Sequence, residues 1–382
     1  MKKILLLYRT FGPSVNLCGY IQLNWLAEHG QVEFRHRRIM DVTKADLEWC
    51  EVALFVRGDG LLDEWLARVC HQAGKTVVYA LDDDLLHVPE NLGSGPYYAQ
   101  ESVKKHIRSM MEYSDYFCSP SKVLLRKYGG QFRQCFLMHE PSAYVLAEKP
   151  ENRDGVVHIG FAGSSDRGQD VDTILADALE EVSRTYGDSI SIEIFGTDTE
   201  IAGRLHCKTI PYTESYEAYQ AKMKELNWDI GLAPMPETEF HACKYYNKLV
   251  EYAGYGIVGI YSNVLPYTEA AEDRVNGLVC ENRKEDWVLA LSELIEDSTL
   301  RKKLSSNCLH QAQTIFSVRF AAEDFLRCLD AMEVKAQDTK VQFHRWMKVV
   351  GLFSWYAEKV KKFGWKTPVV AVRKAVRLMR RK

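Results

Sequence analysis

The sequence predicts an α/β protein made of two doubly wound halves. Short apolar segments alternate with segments of helical spacing through most of the 382 residues, as in parallel sheets covered by helices on both faces. One polar, turn-rich stretch, Lys149 to Gly155, interrupts this alternation and indicates a linker. We therefore expect an N-terminal Rossmann-like domain over 1–150, a C-terminal one over 151–332, a cleft between them, and a helical tail over 333–382.

Each predicted half contains six strands joined by helices. The first-half strands are Ile4–Tyr8, Val32–Ile39, Val52–Val56, Thr76–Leu81, Tyr116–Ser119 and Cys135–Met138. The second-half strands are Val157–Phe161, Ser191–Phe195, Thr209–Ile210, Ile230–Ala233, Ile257–Tyr261 and Gly277–Cys280. Helical spacing fills the segments between them, for example Leu61–Gln72, Ser102–Tyr113, Asp170–Tyr186 and Lys284–Ile295.

Composition indicates a globular protein of the cytosol. Hydrophobic residues make up 46% of the chain and charged residues 26%, which is an ordinary balance. The ten cysteines stand singly, without a CxxC pair or metal-ligand spacing, so we expect reduced thiols. The sequence contains no run of about 18 apolar residues that would cross a membrane.

The C-terminal tail is strongly basic, and we expect it to have a partner of its own. From Lys340 onward the chain has thirteen Lys or Arg and one acidic residue, Glu358. Trp346, Trp355 and Trp365 are interleaved with these cations, and Val369 to Lys382 separates into an apolar and a basic face. This pattern favours a peripheral helix on an anionic membrane surface. A solvated packing helix and a nucleic-acid contact are the alternatives.

A candidate phosphate and sugar site follows a strand of the second half. The pattern of residues from Trp228 to Ser262 predicts, in this order, a strand, a polar loop, a helix, a glycine and a second strand. Ligands of open α/β sheets bind beyond the carboxyl ends of strands, and a helix beginning near Cys243 would direct its N-terminal amides there. The spacing predicts one polar face on that helix, formed by Lys244, Asn247, Lys248 and Glu251. The alternative is a solvated stripe with ion pairs that include Lys248.

Two further strand-end loops support this site. Val157 to Asp170 is a strand that enters a Gly/Ser loop containing Gly163, Ser164 and Arg167, where a diphosphate would rest. Ser262 to Glu269 follows the next strand and would present Thr268 to the same ligand. The chain has neither the GxGxxG spacing of dinucleotide sites nor a GxxxxGK[ST] loop, so a Rossmann oxidoreductase is disfavoured.

From His158 to about Phe316 the sequence resembles the C-terminal half of retaining GT-B glycosyltransferases of the GT4-like, or group 1, family. The segments GFAGSSDRGQD, KYYNKLVEYAGYGIVGIYS and NGLVCEN occur in the family's order. The family has a pair of glutamates, of which the second matches Glu251 and the first falls on Cys243. Family versions with Lys-x3-Lys-x2-Glu match Lys244, Lys248 and Glu251.

The resemblance implies a nucleotide-sugar donor in the second domain and an acceptor in the first. It implies that Arg167 and Lys248 stabilise the leaving diphosphate, with Lys244 and Asn247 secondary, while Glu251 holds the ribose. It also implies that no metal or other cofactor is required. Because Cys243 replaces a glutamate, a degenerate scaffold that binds sugar nucleotide or glycan without turnover is the alternative, followed by an epimerase or a phosphorylase.

Three stretches of the first half are candidates for the acceptor site. Phe11 and Gly12 follow the first strand, and His139 follows the last. Three aspartates, Asp82 to Asp84, follow the fourth strand and would be a helix N-cap, an acceptor site or a metal site. We name Asp83 as the candidate catalytic base.

These expectations together describe a glycosyltransferase of surface polysaccharide or glycoconjugate synthesis. It would transfer a sugar to a glycan or lipid-linked acceptor hydroxyl, without nucleic acid as a partner. It would be cytoplasmic and peripheral on the inner membrane face.

Overall fold

A computed structural model gives the fold. It describes residues 1–152, 154–213, 215–335, 340–344 and 346–363, with side chains omitted at 165 and 355–363. The chain forms two compact units. One comprises Met1–His139 and the chain from Ala322 onward, and the other comprises Glu140–Ala321.

The first unit contains a parallel sheet of six strands in the order β2-β1-β3-β4-β5-β6. The strands are β1 Lys2–Tyr8, β2 Val32–Arg38, β3 Val52–Val56, β4 Thr76–Ala80, β5 Tyr116–Ser119 and β6 Gln134–Leu137. The helices are α1 Pro13–Val15, α2 Ile21–Glu28, α3 Lys44–Trp49, α4 Leu61–Gln72, α5 Gly95–Tyr98, α6 Glu101–Glu112 and α7 Lys122–Tyr128. Residues of β3 and β4 are buried along their whole length, as expected for central strands covered on both faces.

The second unit repeats this architecture with the strand order β12-β11-β10-β7-β8-β9. The strands are β7 Val157–Ala162, β8 Ile190–Phe195, β9 Lys208–Ile210, β10 Ile230–Ala233, β11 Val258–Ser262 and β12 Gly277–Cys280. The helices are α8 Gly168–Tyr186, α9 Glu200–Arg204, α10 Tyr216–Leu226, α11 Glu239–Ala242, α12 Asn247–Gly254, α13 Lys284–Glu296 and α14 Ser298–Gln313. The strand order reverses between β7 and β10, and ligands of such sheets bind at this switch point.

A row of glycines crosses the second sheet. Gly160, Gly231, Gly259 and Gly277 lie in register on four neighbouring strands. A Cβ on Gly231 would lie 2.5 Å from the ring of Tyr252, and Cβ atoms on its neighbours would collide with the rings of Trp228 and Tyr261. The row therefore leaves space for fully buried aromatic side chains directly on the sheet.

The chain returns to the first unit after the second is complete. Helix α15, Val318–Ala331, contributes Ala322, Phe325 and Leu329 to the core beneath β1 and β3. Helix α16, Trp346–Phe363, packs on α4 and α5 of the same unit. The compact units thus differ from the predicted boundaries, since the first ends at His139 and 322–332 returns to it. The difference arises because the apolar face of α15 packs in the core of the first unit. The sequence shows that this face exists but not which of the two cores it joins.

All twelve predicted strands are present, and the predicted two-sheet α/β fold is confirmed. In the described part of the chain, no helix combines the length and apolarity needed to cross a bilayer. The predicted tail helix from Val369 to Lys382 and Trp365 lie outside the described residues, as does the side chain of Trp355.

Candidate functional site

Arg167 joins the two loops at the switch point of the second sheet. It lies in a short 3-10 turn between β7 and α8, and its Nη2 donates to the carbonyl oxygen of Pro234 after β10 at 2.6 Å. Gly163 begins the same loop, where a Cβ would lie 2.8 Å from the ring of Phe161. Ser164 is exposed. This loop is the one that the sequence predicts as the diphosphate site.

Asp170 is the carboxylate partner of Arg167. Its Oδ2 lies 2.7 Å from Arg167 Nε and 3.9 Å from Nε2 of the buried His241. Burial raises the pKa of Asp170, although the charges of Arg167 and Lys244 act in the opposite direction. Thr238 Oγ1 lies 2.8 Å from the other ring nitrogen of His241 and orients it. Arg167 and His241 therefore both lie close to one partly buried carboxylate.

The helix predicted to begin near Cys243 begins at Asn247, so the predicted start is wrong. The short helix α11 precedes it, capped by Thr238, whose side chain accepts from His241 N at 3.2 Å. Tyr246 has a non-helical backbone with φ −79° and ψ 47°. Lys244 therefore lies between two helices, and its Nζ lies 4.6 Å from the centroid of the Phe240 ring. Asn247, Lys248 and Glu251 remain on one helix.

Lys248 and Glu251 form an ion pair on the face of α12. Lys248 Nζ lies 2.5 Å from Glu251 Oε2 and 3.1 Å from the hydroxyl of Tyr219. Burial, followed by the charge of Glu251, raises the pKa of Tyr219 well above its usual value. Lys248 thus has an ion pair, as in the alternative of a solvated stripe, but the pair spans three positions and both groups are only about one-fifth exposed.

The third strand end is fixed by hydrogen bonds. Ser262 Oγ accepts from Met235 N at 2.8 Å and donates to Asn282 Oδ1 at 2.6 Å. Asn282 Nδ2 in turn donates to Met235 O at 2.8 Å. Thr268 lies exposed in the following 3-10 turn, Tyr267–Glu269. The loops after β10, β11 and β12 are therefore joined into one framework.

Charged groups at the start of α8 and on α12 act on the same buried ring, that of Tyr267. Burial raises the pKa of Tyr267 to about 12, with Arg167 opposing the rise and Glu251 and Asp170 adding to it. The same two charges, Glu251 and Arg167, act on the pKa of buried Tyr252. The predicted residues Arg167 and Glu251 therefore lie around a common centre.

Two arginine networks occupy the carboxyl edge of the first sheet. After β1, Arg9 pairs with Asp59 and Asp63, each at 2.9 Å. After β3, Arg57 Nη1 lies 2.7 Å from Asp82 and 3.0 Å from Asp83. The predicted Asp82 and Asp83 are thus paired with a guanidinium, and no helix begins at them, so the N-cap alternative is wrong.

The third aspartate is buried and has a structural environment. The Asp84 side chain has no exposed surface and accepts from Lys127 at 2.7 Å and Tyr128 at 2.5 Å, with His87 at 3.0 Å. These hydrogen bonds outweigh burial and lower its pKa. A carboxylate saturated in this way stabilises its loop, so the predicted contact of Asp84 with an acceptor is not supported by its placement.

The remaining acceptor candidates have contacts of their own. Phe11, 37% exposed, packs edge-on against Tyr8 and Tyr20 with ring centroids 5.5 and 5.1 Å away. Gly12 precedes α1 in open space. His139 Nε2 lies 3.7 Å from Asp324 on α15, and burial lowers its pKa. This contact matches a structural role for His139.

Neither a family model nor a curated protein matches the chain. Solved structures do. The Anabaena protein HepE, in complex with UDP and glucose, superposes with a TM-score of 0.63 at 12% identity over 87% of this chain and 100% of HepE. The lipopolysaccharide outer core galactosyltransferase WaaB gives 0.54 at 14% identity over 87% and 99%.

These two proteins, like the present chain, combine two Rossmann-like units. The chain has the GT-B fold. A third similar structure, S. aureus TarM, gives a TM-score of 0.53 at 12% identity and covers 73% of this chain. The chain spans only 55% of the length of TarM. At these identities the likeness establishes the architecture of the chain.

Sequence reasoning missed Asp170, His241, Tyr219 and Asn282. Asp170 stands three positions after Arg167, a spacing that places both on one side of the turn into α8. Thr238 is a residue type that favours helix N-caps, and this signal was available in the sequence. Tyr219 and Asn282 come from α10 and from the loop after β12, so only the folded sheet brings them to the site.

Proposed function

We propose that the protein is a glycosyltransferase that uses a nucleotide-sugar donor bound by the second unit. The observation that supports this most is the position of Arg167, whose guanidinium bridges the loops after β7 and β10 at the switch point. Basic groups at such an edge neutralise phosphate oxygens and stabilise a departing diphosphate. The complexes of HepE with UDP support the same reading.

In this proposal the cations of the site exchange partners when the donor binds. Arg167 now faces Asp170 at 2.7 Å and Lys248 faces Glu251 at 2.5 Å. The diphosphate takes up the guanidinium and the ammonium, with Lys244 and Asn247 beside them. Glu251, released from Lys248, accepts hydrogen bonds from the ribose hydroxyls. Gly163, Ser164 and Thr268 contact the donor from the loops.

The finer features of the proposal follow the family resemblance. The transfer retains the configuration of the sugar and needs no metal, because cationic side chains hold the diphosphate. The acceptor is a glycan or lipid-linked hydroxyl bound near Asp82 and Asp83 of the first unit, and Asp83 is the candidate base. The enzyme acts in surface polysaccharide or glycoconjugate synthesis on the cytoplasmic face of the inner membrane, with its basic tail on that surface.

The proposal is tested by nucleotide release from UDP-glucose, UDP-galactose, UDP-N-acetylglucosamine and GDP-mannose. We expect turnover of at least one donor that survives EDTA. Arg167→Met should lower the rate by roughly a hundredfold, the typical effect of removing one group that stabilises developing charge. Arg204→Met is the matched control, since Arg204 is half exposed and pairs with Glu180 on the surface of the same unit.

A binding protein without turnover is the second candidate, favoured by Cys243. This thiol is buried, 1% exposed, at the position of a family glutamate. If donors bind to the wild type but none is turned over with any glycan or lipid acceptor, the transferase proposal fails and the binding function stands. Turnover that is equal in wild type and Arg167→Met would contradict the assigned role of Arg167.

A further inference from the structure

Helix α16 of the first unit carries an exposed apolar face. Trp346, Val350 and Phe353 are 61%, 38% and 48% exposed. Their spacing of four and three positions places them on one side of the helix. Of the nine exposed large apolar side chains among the described residues, three lie within these two turns. The others are spread over both units, and such isolated side chains are ordinary.

Packing on the opposite side holds this face outward. Leu352 is 2% exposed, and a Cβ on Gly351 would lie 2.7 Å from Cβ of Leu62 on α4. Just before the helix, the ring of Phe343 lies 5.3 Å from that of Trp65, also on α4. The exposed face therefore belongs to a helix that packs on α4. The close contact at Gly351 fixes the side of the helix that faces solvent.

The charge of the sequence that contains this helix indicates the kind of partner that the face would bind. The chain from Lys340 onward contains thirteen Lys or Arg and one acidic residue. A second copy of the chain would bring two such cationic segments together, and like charges across an interface are costly. Aromatic and aliphatic side chains flanked by cations are suited to the headgroup region of an anionic bilayer.

The position of the face relates it to the acceptor edge. Leu62, which contacts α16, is followed by Asp63, whose carboxylate pairs with Arg9 at the carboxyl edge of the first sheet. Helix α16 therefore packs on the same helix, α4, that contributes Asp63 to one of the arginine networks. An acceptor presented at that network would be carried on a lipid of the surface that α16 contacts.

We propose that Trp346, Val350 and Phe353 insert into the surface of an anionic bilayer and dock the first unit on it. The identity of the acceptor rests on the proposed function, whereas the docking itself does not. In this proposal the three side chains of α16 supply the apolar part of the membrane contact. The basic residues of the same part of the chain attract the anionic lipids.

Sedimentation of the full chain with vesicles tests the docking. One set of vesicles contains phosphatidylglycerol in phosphatidylcholine, and the other contains phosphatidylcholine alone. We expect binding to the first set only. The combined substitution Trp346→Ser, Val350→Ser and Phe353→Ser should weaken it roughly tenfold or more, because the inserted apolar area is lost. Leu289→Ser is the matched control, because Leu289 is 68% exposed on the second unit.

Equal vesicle binding by the triple variant and the wild type would overturn the proposal, and so would equal binding to both vesicle types. Light scattering distinguishes the rival occupant. A wild-type dimer that the triple variant dissociates, with vesicle binding unchanged, would assign the face to a second copy. Nucleotide affinity is measured on the same samples. If the wild type binds the anionic vesicles but none of the nucleotides, the proposed function alone is refuted.

Discussion

At the scale of the residue, charge pairs define both candidate edges. In the second unit two of the proposed donor cations already have a carboxylate partner, Asp170 for Arg167 and Glu251 for Lys248. In the first unit Arg57 forms ion pairs with Asp82 and Asp83. Cations that are paired before the ligand arrives keep their side chains oriented, and the ligand replaces one partner rather than ordering a free chain.

Lys149 gives a pH-dependent test of the second unit. Its Nζ donates to Trp228 O at 2.6 Å and to Asn227 Oδ1 at 3.1 Å. Burial lowers its pKa to about 8 from 10.5, against the charge of Asp229. Between these values the unfolded chain binds the proton and the folded chain does not, so the free energy of unfolding rises with pH.

We therefore expect the wild type to gain up to about 1.4 kcal/mol of stability per pH unit in that window relative to Lys149→Met. Urea denaturation across this pH range measures the difference. Lys222→Met, which removes a surface lysine paired with Glu225, should show no such slope. Parallel curves for wild type and Lys149→Met would mean that Lys149 is protonated throughout.

The residues of the site could be predicted from the sequence only where a single segment carries them. Arg167 and Glu251 follow from motif spacing. Asp84 resembled its neighbours in sequence, but Lys127 and Tyr128 on α7 approach it in the fold and bury it. Tyr219 reaches Lys248 from α10, 29 positions away. Partners supplied by distant elements leave no local pattern.

At the scale of the element, strands were predicted well because buried parallel strands are short apolar runs between turn signals. The start of α12 was not, because Lys244 to Glu251 has helical spacing on both sides of Tyr246, whose backbone interrupts the helix. Helix α15 was predicted as part of the second half. Its apolar face packs in the core of the first unit. The periodic pattern of a helix predicts an apolar face but not the core in which that face is buried.

The glycine row makes a second test. Gly231→Ala should lower the free energy of unfolding by about 2 to 3 kcal/mol, because the new methyl would overlap the Tyr252 ring. That ring cannot easily move, since its hydroxyl donates to Leu232 O at 2.9 Å. Gly203→Ala on α9 is the control, because no atom lies within 4 Å of its Cβ position. Equal stability of both variants would mean that the sheet has room beneath the ring.

At the scale of the whole molecule, the two units carry separate chemistry. The second places cations at its switch point, and the first bears the arginine networks and the exposed face of α16. The sequence already divided the charge, since the chain before Lys340 is acidic and the chain after it basic. The role of each unit is therefore tested best with a ligand proposed for that unit alone, a nucleotide for the second and lipid vesicles for the first.

The central claim, that the second unit binds a nucleotide-sugar, is tested most directly by a thermal-shift panel. UDP, GDP, dTDP and CMP are compared with their sugar conjugates, with and without magnesium. The variants are Glu251→Ala and, as control, Glu225→Ala, which removes another Lys–Glu pair with this spacing on a helix of the unit.

A ligand that binds the folded state raises the unfolding midpoint by mass action. We predict a shift with one nucleotide family, independent of magnesium, that is kept in Glu225→Ala. Glu251→Ala should reduce the affinity by roughly ten- to a hundredfold, the effect of losing hydrogen bonds to a charged group. No shift with any compound, or an equal shift in Glu251→Ala, would contradict the donor site assigned to this edge.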